Sequence, residues 1–345
     1  MNLSVVIPCY RSRDTLVELV SRLHASLPAI ADDYEIILVV DGSPDDTFAV
    51  ARALEREDDR VNAVLLRRNF GQHHASLAGI ARARFEVTVL MDDDLQHRPE
   101  EIHKLLAPLN DPTIDVVYGN AVDEEHRLLR NWTSQGVKIL MERMGVRHAR
   151  LFSSFLAFRT SLRAGFVQVL GEVYIDVLLS WTTNEVIAVP VTMDQRSVGS
   201  SGYTWGSLLN LTWDMTTGSS TVPLRLVTGA GIASFIAGLV ILAAILGNYW
   251  AHGPDVPGWT SQAGMTAAFS GLMMLSIGIV GEYLGRLHIA AMRRPTYLVR
   301  VQGGLGPIVG TPGAVLDVTA TTDDADALAE ALRKRYAGSE QATGT

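Results

Sequence analysis

Three consecutive carboxylates at the end of an apolar run are the residues of this sequence best suited to chemistry. In VLMDDDLQHRPEEI (89–102), a strand-like segment runs directly into Asp92, Asp93 and Asp94 and then into a proline-led helix. Acids crowded within a few ångströms raise one another's pKa, whereas a hard divalent cation relieves the repulsion and prefers oxygen ligands. Residues i and i+2 of an extended segment point to the same side, so Asp92 and Asp94 can converge on one metal ion while Asp93 faces elsewhere. Gln96, two positions further on, can add an amide oxygen. The other reading of the same residues is an acidic loop that caps the helix at Pro99.

A second candidate is VVDGSPDDT (39–47), where Asp41 ends a strand and Gly42 to Pro44 turn the chain into a helix capped by Ser43 or Asp45. Asp41 can accept hydrogen bonds from a nucleotide's base or ribose, or it can serve the turn alone. The single cysteine, Cys9, lies in an apolar run and has no partner for an internal disulfide, which reads as a structural residue of a reduced compartment.

These residues need a frame that brings strand ends together. From residue 3 to about 119, short β-branched runs (LSVVIP, EIILVV, VNAVLL, EVTVLM, DVVYG) alternate with helical stretches such as DTLVELVSRLHASL, the pattern of a parallel α/β sheet. Ligands of such sheets bind beyond the carboxyl ends of the strands, which singles out residues 8–11, 41–43, 67–72 and 92–96. Further on, 124–144 reads as amphipathic helix, 151–158 and 186–191 as strands, the segment after Pro295 (TYLVRVQ) as another strand, and 323–336 as an amphipathic helix before a tail.

The chain has 345 residues, 48% of them hydrophobic and 19% charged, with a mean hydropathy of +0.17. That balance fits a water-facing domain joined to a small membrane part. The net charge of -8 argues against a nucleic-acid partner, which needs a basic face. Residues 1–8 are too short for a signal peptide, so the amino terminus is expected to fold at once, on the inside. Residues 226–247 and 256–281 carry no charge, and each is long enough, at about 1.5 Å per residue, to cross a hydrocarbon core about 30 Å thick. Two buried helices of a large soluble core would be the alternative. The connecting loop 248–255 has no Lys or Arg, whereas Arg225 precedes the pair and Arg286, Arg293, Arg294 and Arg300 follow it, which places both ends in the cytoplasm. Trp250 and Trp259 sit where an interfacial belt would place them. The mixed Trp, Tyr, Leu and polar composition of 201–225 suits either a helix along the bilayer surface or an ordinary packed amphipathic helix.

In SVVIPCY (4–10), VDGSPDD (40–46), RNFGQHHASLAGI (68–80), MDDDLQHRPEEI (91–102), QRSVGSSGYTWGSLL (195–209) and GEYLGRLHIAAMRRPTYLV (281–299), the sequence resembles glycosyltransferase family 2. Within it, the likeness is to the polyprenyl-phosphate glycosyltransferases with two membrane helices. The resemblance implies a GT-A (Rossmann-like) cytoplasmic domain over 1–200, an interfacial region over 201–225, a transmembrane hairpin at 226–247 and 256–281, and a cytoplasmic extension over 282–345, in the cell membrane. It implies a nucleotide-sugar donor, with a uridine diphosphate sugar favoured, and a polyprenyl phosphate acceptor. Pro8, Tyr10 and Asp41 would cradle base and ribose, and Asp92, Asp94 and Gln96 would hold Mg2+ or Mn2+ against the diphosphate. Arg196 would meet the diphosphate, while Arg130 and Ser134, helped by Arg127, would take the acceptor phosphate. The sequence departs from the family at Ser12, where an acidic residue often stands, at Val40 in place of a common Asp, and at Asn120 and Ala121, a region where many members have another Arg.

A polyprenyl phosphate is largely ionised near neutral pH, so it can attack the anomeric carbon without a general base, and direct displacement inverts that centre. Asp176, in GEVYIDVLL, stands as a base of the kind that serves hydroxyl acceptors in relatives, or as a structural or substrate-orienting residue. Glu282 and Arg286, four apart, can pair at the end of the second helix or anchor it at the interface. A processive polysaccharide synthase would need more membrane helices and a Gln-x-x-Arg-Trp motif, neither of which occurs, and a non-catalytic scaffold would predict damage at Asp92 or Asp94, both of which are present. The strand after Pro295 offers an edge for a neighbouring copy, and relatives suggest a homo-oligomer, a tetramer among them.

Overall fold

The structure is a computed structural model. It describes residues 1–121, 142, 147–166, 174–194, 258–292, 296–302, 315–316 and 330, with isolated positions between 227 and 250. The described strands form one nine-stranded sheet in the order β7-β5-β6-β4-β1-β2-β3-β8-β9. Their ranges are β1 Leu3–Cys9, β2 Tyr34–Val40, β3 Val61–Leu66, β4 Val87–Leu90, β5 Val116–Ala121, β6 Leu156–Arg159, β7 Val186–Val191, β8 Leu298–Gln302 and β9 Val315–Leu316.

The five strands expected from the first 119 residues all form, and β1 to β4 pair in parallel. The sheet as a whole is mixed, because β6 inserts antiparallel between β4 and β5. This strand is shorter than the 151–158 run suggested. Ala149–Leu151 turn in a 3-10 helix, and the strand begins only at Leu156. β8 lies antiparallel on β3 of its own chain, and the two-residue β9 pairs with Leu298 and Val299 on its other edge.

Every residue of β1 is buried, and its alternation feeds two cores. Leu3, Val5, Ile7 and Cys9 face the layer of helices α1 (Leu16–Ser26), α2 (Thr47–Glu57) and α4 (Ile102–Leu106). Val6 faces the opposite layer with α3 (Gln72–Ile80) and α5 (Ile175–Thr182). α1 docks through Leu16, Leu19, Val20 and Leu23, a stripe at the 3.6-residue period. α3 approaches more closely still: a Cβ on Gly79 would stand 2.3 Å from a methyl of Val6.

The β1–β4 ladder ends at Val6↔Leu90, whereas β2 stays paired with β1 as far as Cys9↔Val40. Pro8, which has no N–H to donate, falls past the last β4 pair. The parting of β1 and β4 at their carboxyl ends opens the cleft described below. After these elements comes α6 (Trp259–Ala291), a helix of 33 residues. Among the described residues, no helix is long and apolar enough to cross a membrane. Met273, Met274, Ile277, Val280, Leu284 and Leu287 of α6 are nevertheless exposed. The readings of 124–144, 201–225 and 323–336 fall outside the described residues, apart from Glu142 and Glu330.

Candidate active site

The cleft at the carboxyl ends of β1, β2 and β4 has a volume of about 250 Å³ and is lined by Pro8, Cys9, Tyr10, Asp41, Asn69, Gly71, Gln72, Asp92, Asp93 and Asp94. Five of the sequence-predicted residues, Pro8, Tyr10, Asp41, Asp92 and Asp94, therefore meet in one place. Tyr10 lines the cleft and is 42% exposed.

Asp41 is buried, and its carboxylate accepts the backbone N–H groups of Phe70 at 2.7 Å and Gly71 at 2.8 Å. It clamps the loop after β3 against the turn after β2, while burial holds its pKa above the ordinary carboxylate value. Gly42, at φ +56°, makes the clamp sterically feasible, since a Cβ there would lie 2.3 Å from the Arg68 carbonyl carbon. The N-cap of α2 is Asp46 and not the expected Ser43 or Asp45, while Asp45, one residue earlier, accepts the Thr47 N–H at 3.2 Å and the Thr47 hydroxyl at 2.6 Å.

β4 ends at Leu90, the chain bends at Asp93–Leu95, and Leu95 adopts a left-handed φ of 63°. All three carboxylates line the cleft, and Asp93 is the one tied to a neighbouring loop. Asp93 accepts the Tyr10 N–H at 3.1 Å and the Ser12 hydroxyl, tying the β1 loop to the acidic loop. Burial pushes its pKa up to about 6, with Asp92 and Asp94 adding to the rise against the lowering effect of those two hydrogen bonds. Asp92 accepts from the Gln72 amide and from the Ser154 hydroxyl at 2.7 Å. Asp94 accepts the Gln96 N–H at 3.1 Å in a tight Asx turn. Gln96 does not line the cleft, and its carbonyl accepts the Asp194 N–H at 2.9 Å.

The loop is buttressed below. His97 is buried, and desolvation lowers its pKa to about 4, so it is neutral. Its backbone bridges to Met193, and Arg98 pairs with Asp194. The segment that leads to Arg196 thus starts from an anchor on the acidic loop. Arg196 itself, with Arg127, Arg130 and Ser134, lies outside the described residues. Asp176, in the first turn of α5, hydrogen-bonds the buried Tyr118.

Among the described residues, no group of three or more His, Cys, Asp and Glu side chains is placed to hold a metal by itself. Asp92 and Asp94 both line the cleft, where their carboxylates could offer two oxygen donors. Mg2+-type ions accept such a set when substrate phosphates and water complete the sphere. The residues that sequence reasoning left without a role are Asn69, Gln72, Ser154 and His97. The first two lie in a strand-end segment already singled out, but nothing in the sequence marks Ser154, which folding alone brings to Asp92.

Residues 4–168 match the family described as Glycosyl transferase family 2. The undecaprenyl-phosphate 4-deoxy-4-formamido-L-arabinose transferase of Pseudomonas fluorescens is 32% identical over 333 residues, covering 93% of this chain and 96% of that protein. Its namesake from Klebsiella pneumoniae is 31% identical over 306 residues, covering 86% and 92%. The chain is a glycosyltransferase of family 2 and belongs to the polyprenyl-phosphate branch of that family, with the GT-A-like α/β fold that the resemblance implied. Among solved structures, glucosyl-3-phosphoglycerate synthase from Mycobacterium tuberculosis, in complex with Mn2+, UDP-glucose and phosphoglyceric acid, aligns over 67% of this chain and 80% of that one. Its TM-score of 0.46 and identity of 16% make it too distant to bear on the site.

Proposed function

We propose that the protein transfers a sugar from a nucleoside diphosphate sugar, a UDP-sugar by preference, to a polyprenyl phosphate at the cytoplasmic face of the cell membrane, with inversion at the anomeric carbon. The observation that carries this reading is the nearly full-length likeness to transferases named for undecaprenyl phosphate and 4-deoxy-4-formamido-L-arabinose. The cleft supports the donor half. Pro8 and Tyr10 form one wall for the nucleoside, and the loop 69–71, fixed by Asp41, forms the other.

Asp92 and Asp94 offer hard oxygen ligands at the cleft floor, and three carboxylates at one loop leave negative charge for a cation to offset. A divalent ion held by them would neutralise charge on the departing diphosphate. Arg196 is assigned to the same leaving group, and Arg130, Arg127 and Ser134 to the acceptor phosphate, on the strength of the sequence motifs. The acceptor supplies its own ionised nucleophile, so these residues have only to align it and exclude water.

The acceptor's isoprenoid tail stays in the bilayer, so a membrane hairpin at 226–247 and 256–281 belongs to the proposal. It is supported by the uncharged sequence and by the exposed apolar side chains of α6, which need a nonpolar surrounding. Enzyme stripped with EDTA and resupplied with Mg2+ or Mn2+ tests the metal reading. Transfer should fall to background and return, Asp94→Ala should lose at least about 100-fold in kcat at saturating metal, and UDP should inhibit better than GDP. Full activity in EDTA would refute the metal's role.

A further inference from the structure

Asp92 is held by groups from three separate parts of the chain. Its Oδ2 accepts a hydrogen bond from Ser154, in the turn that leads into β6, at 2.7 Å. Its Oδ1 accepts from Gln72, the first residue of α3. Its backbone N–H donates to Nδ1 of His97 at 3.1 Å, which places the imidazole proton on Nε2. That nitrogen faces the Ser154 hydroxyl at 3.4 Å, so the ring supports the hydroxyl that in turn supports the carboxylate. His97 cannot easily turn away. It is buried and stacks on Phe155 with ring centroids 5.0 Å apart and planes 12° from parallel.

A carboxylate that merely capped the following helix would need none of these partners. No side-chain cap bond is made at the helical turn that starts at Pro99. Hydrogen bonds of this kind fix the rotamer of a ligating carboxylate, and their loss typically weakens metal binding by about 10- to 100-fold.

We propose that Ser154, backed by His97, is a positioning residue that orients the Asp92 carboxylate toward the cation and the donor diphosphate. The proposal rests on the metal reading given above. Ser154 is exposed, so removing its hydroxyl leaves the core intact, and Ser154→Thr keeps the hydroxyl.

The test is Mn2+ binding to the full-length protein in detergent with saturating UDP, followed by loss of the electron paramagnetic resonance signal of free Mn2+, alongside UDP binding in EDTA. Ser154→Ala should raise the Kd for Mn2+ roughly tenfold, Ser154→Thr should restore it, and UDP binding in EDTA should be unchanged in both. Mn2+ binding by Ser154→Ala equal to wild type would overturn the positioning role and leave the metal reading standing. The role is equally overturned if Ser154→Ala weakens UDP binding in EDTA to the same degree, since the hydroxyl would then serve the nucleotide pocket. Wild type that binds no Mn2+ would overturn the metal reading and this inference with it.

Discussion

At the scale of single residues, the cleft shows how far side-chain type and spacing can carry an argument. Asp92 and Asp94 were legible because strand-end carboxylates are costly without a cation, and the structure brings both to the cleft floor. The chain bends at Asp93–Leu95 instead of running on as a strand, and Asp93 is the carboxylate diverted to Tyr10 and Ser12. Ser154 was illegible because its partner lies 62 positions away. His73 supplies a residue-scale prediction. It packs edge-on against Tyr174 beside His74, and burial lowers its pKa from 6.5 to about 4. The folded state then binds fewer protons than the unfolded one below pH 6.5, so this contribution to stability is complete above pH 6.5 and lost as pH falls toward 4. Replacing His73 with Gln should reduce the loss of unfolding free energy between pH 7 and pH 5 by about 2 kcal/mol, read from urea midpoints at the two pH values. An unchanged difference would mean that the ring stays hydrated.

Among the elements, the first four strands and their helices were readable because period 2 and period 3.6 separate cleanly in that part of the chain. The antiparallel β6 was not, since a short apolar run carries no information about direction. Nor was the return of β8 to β3, which depends on where the chain emerges after α6. The turn after β2 offers an element-scale test. Gly42 combines a positive φ with a close approach to Arg68 and Asn69, so any side chain must push the 67–71 loop away from Asp41. Gly42→Ala should raise the KM for the donor several-fold and cost about 1–3 kcal/mol of stability, whereas kcat at saturating donor should change less. A fall in kcat with unchanged KM would show that the loop serves the chemical step rather than donor binding.

At the scale of the whole molecule, a sheet carries a cleft at its carboxyl edge, and the chain returns to that sheet through β8 after α6. The hairpin reading came from absent charges, a signal that sequence carries well. Which way it faces is testable with cysteines, because the single native thiol, Cys9, is buried and burial raises its pKa well above the ordinary value. Ala251→Cys should react with an impermeant maleimide added to intact cells, and Glu330→Cys should react only after lysis. Labelling of both from outside, or of neither, would contradict a hairpin with cytoplasmic ends.

Transfer of radiolabel from UDP- and GDP-sugars into the organic phase, in the presence of undecaprenyl or decaprenyl phosphate and Mg2+, tests the central claim most directly. Label should require the lipid phosphate, come preferentially from a UDP-sugar and disappear in Asp94→Ala. Label that accumulates in a long water-soluble polymer, or that enters lipid equally well without polyprenyl phosphate, would contradict that claim.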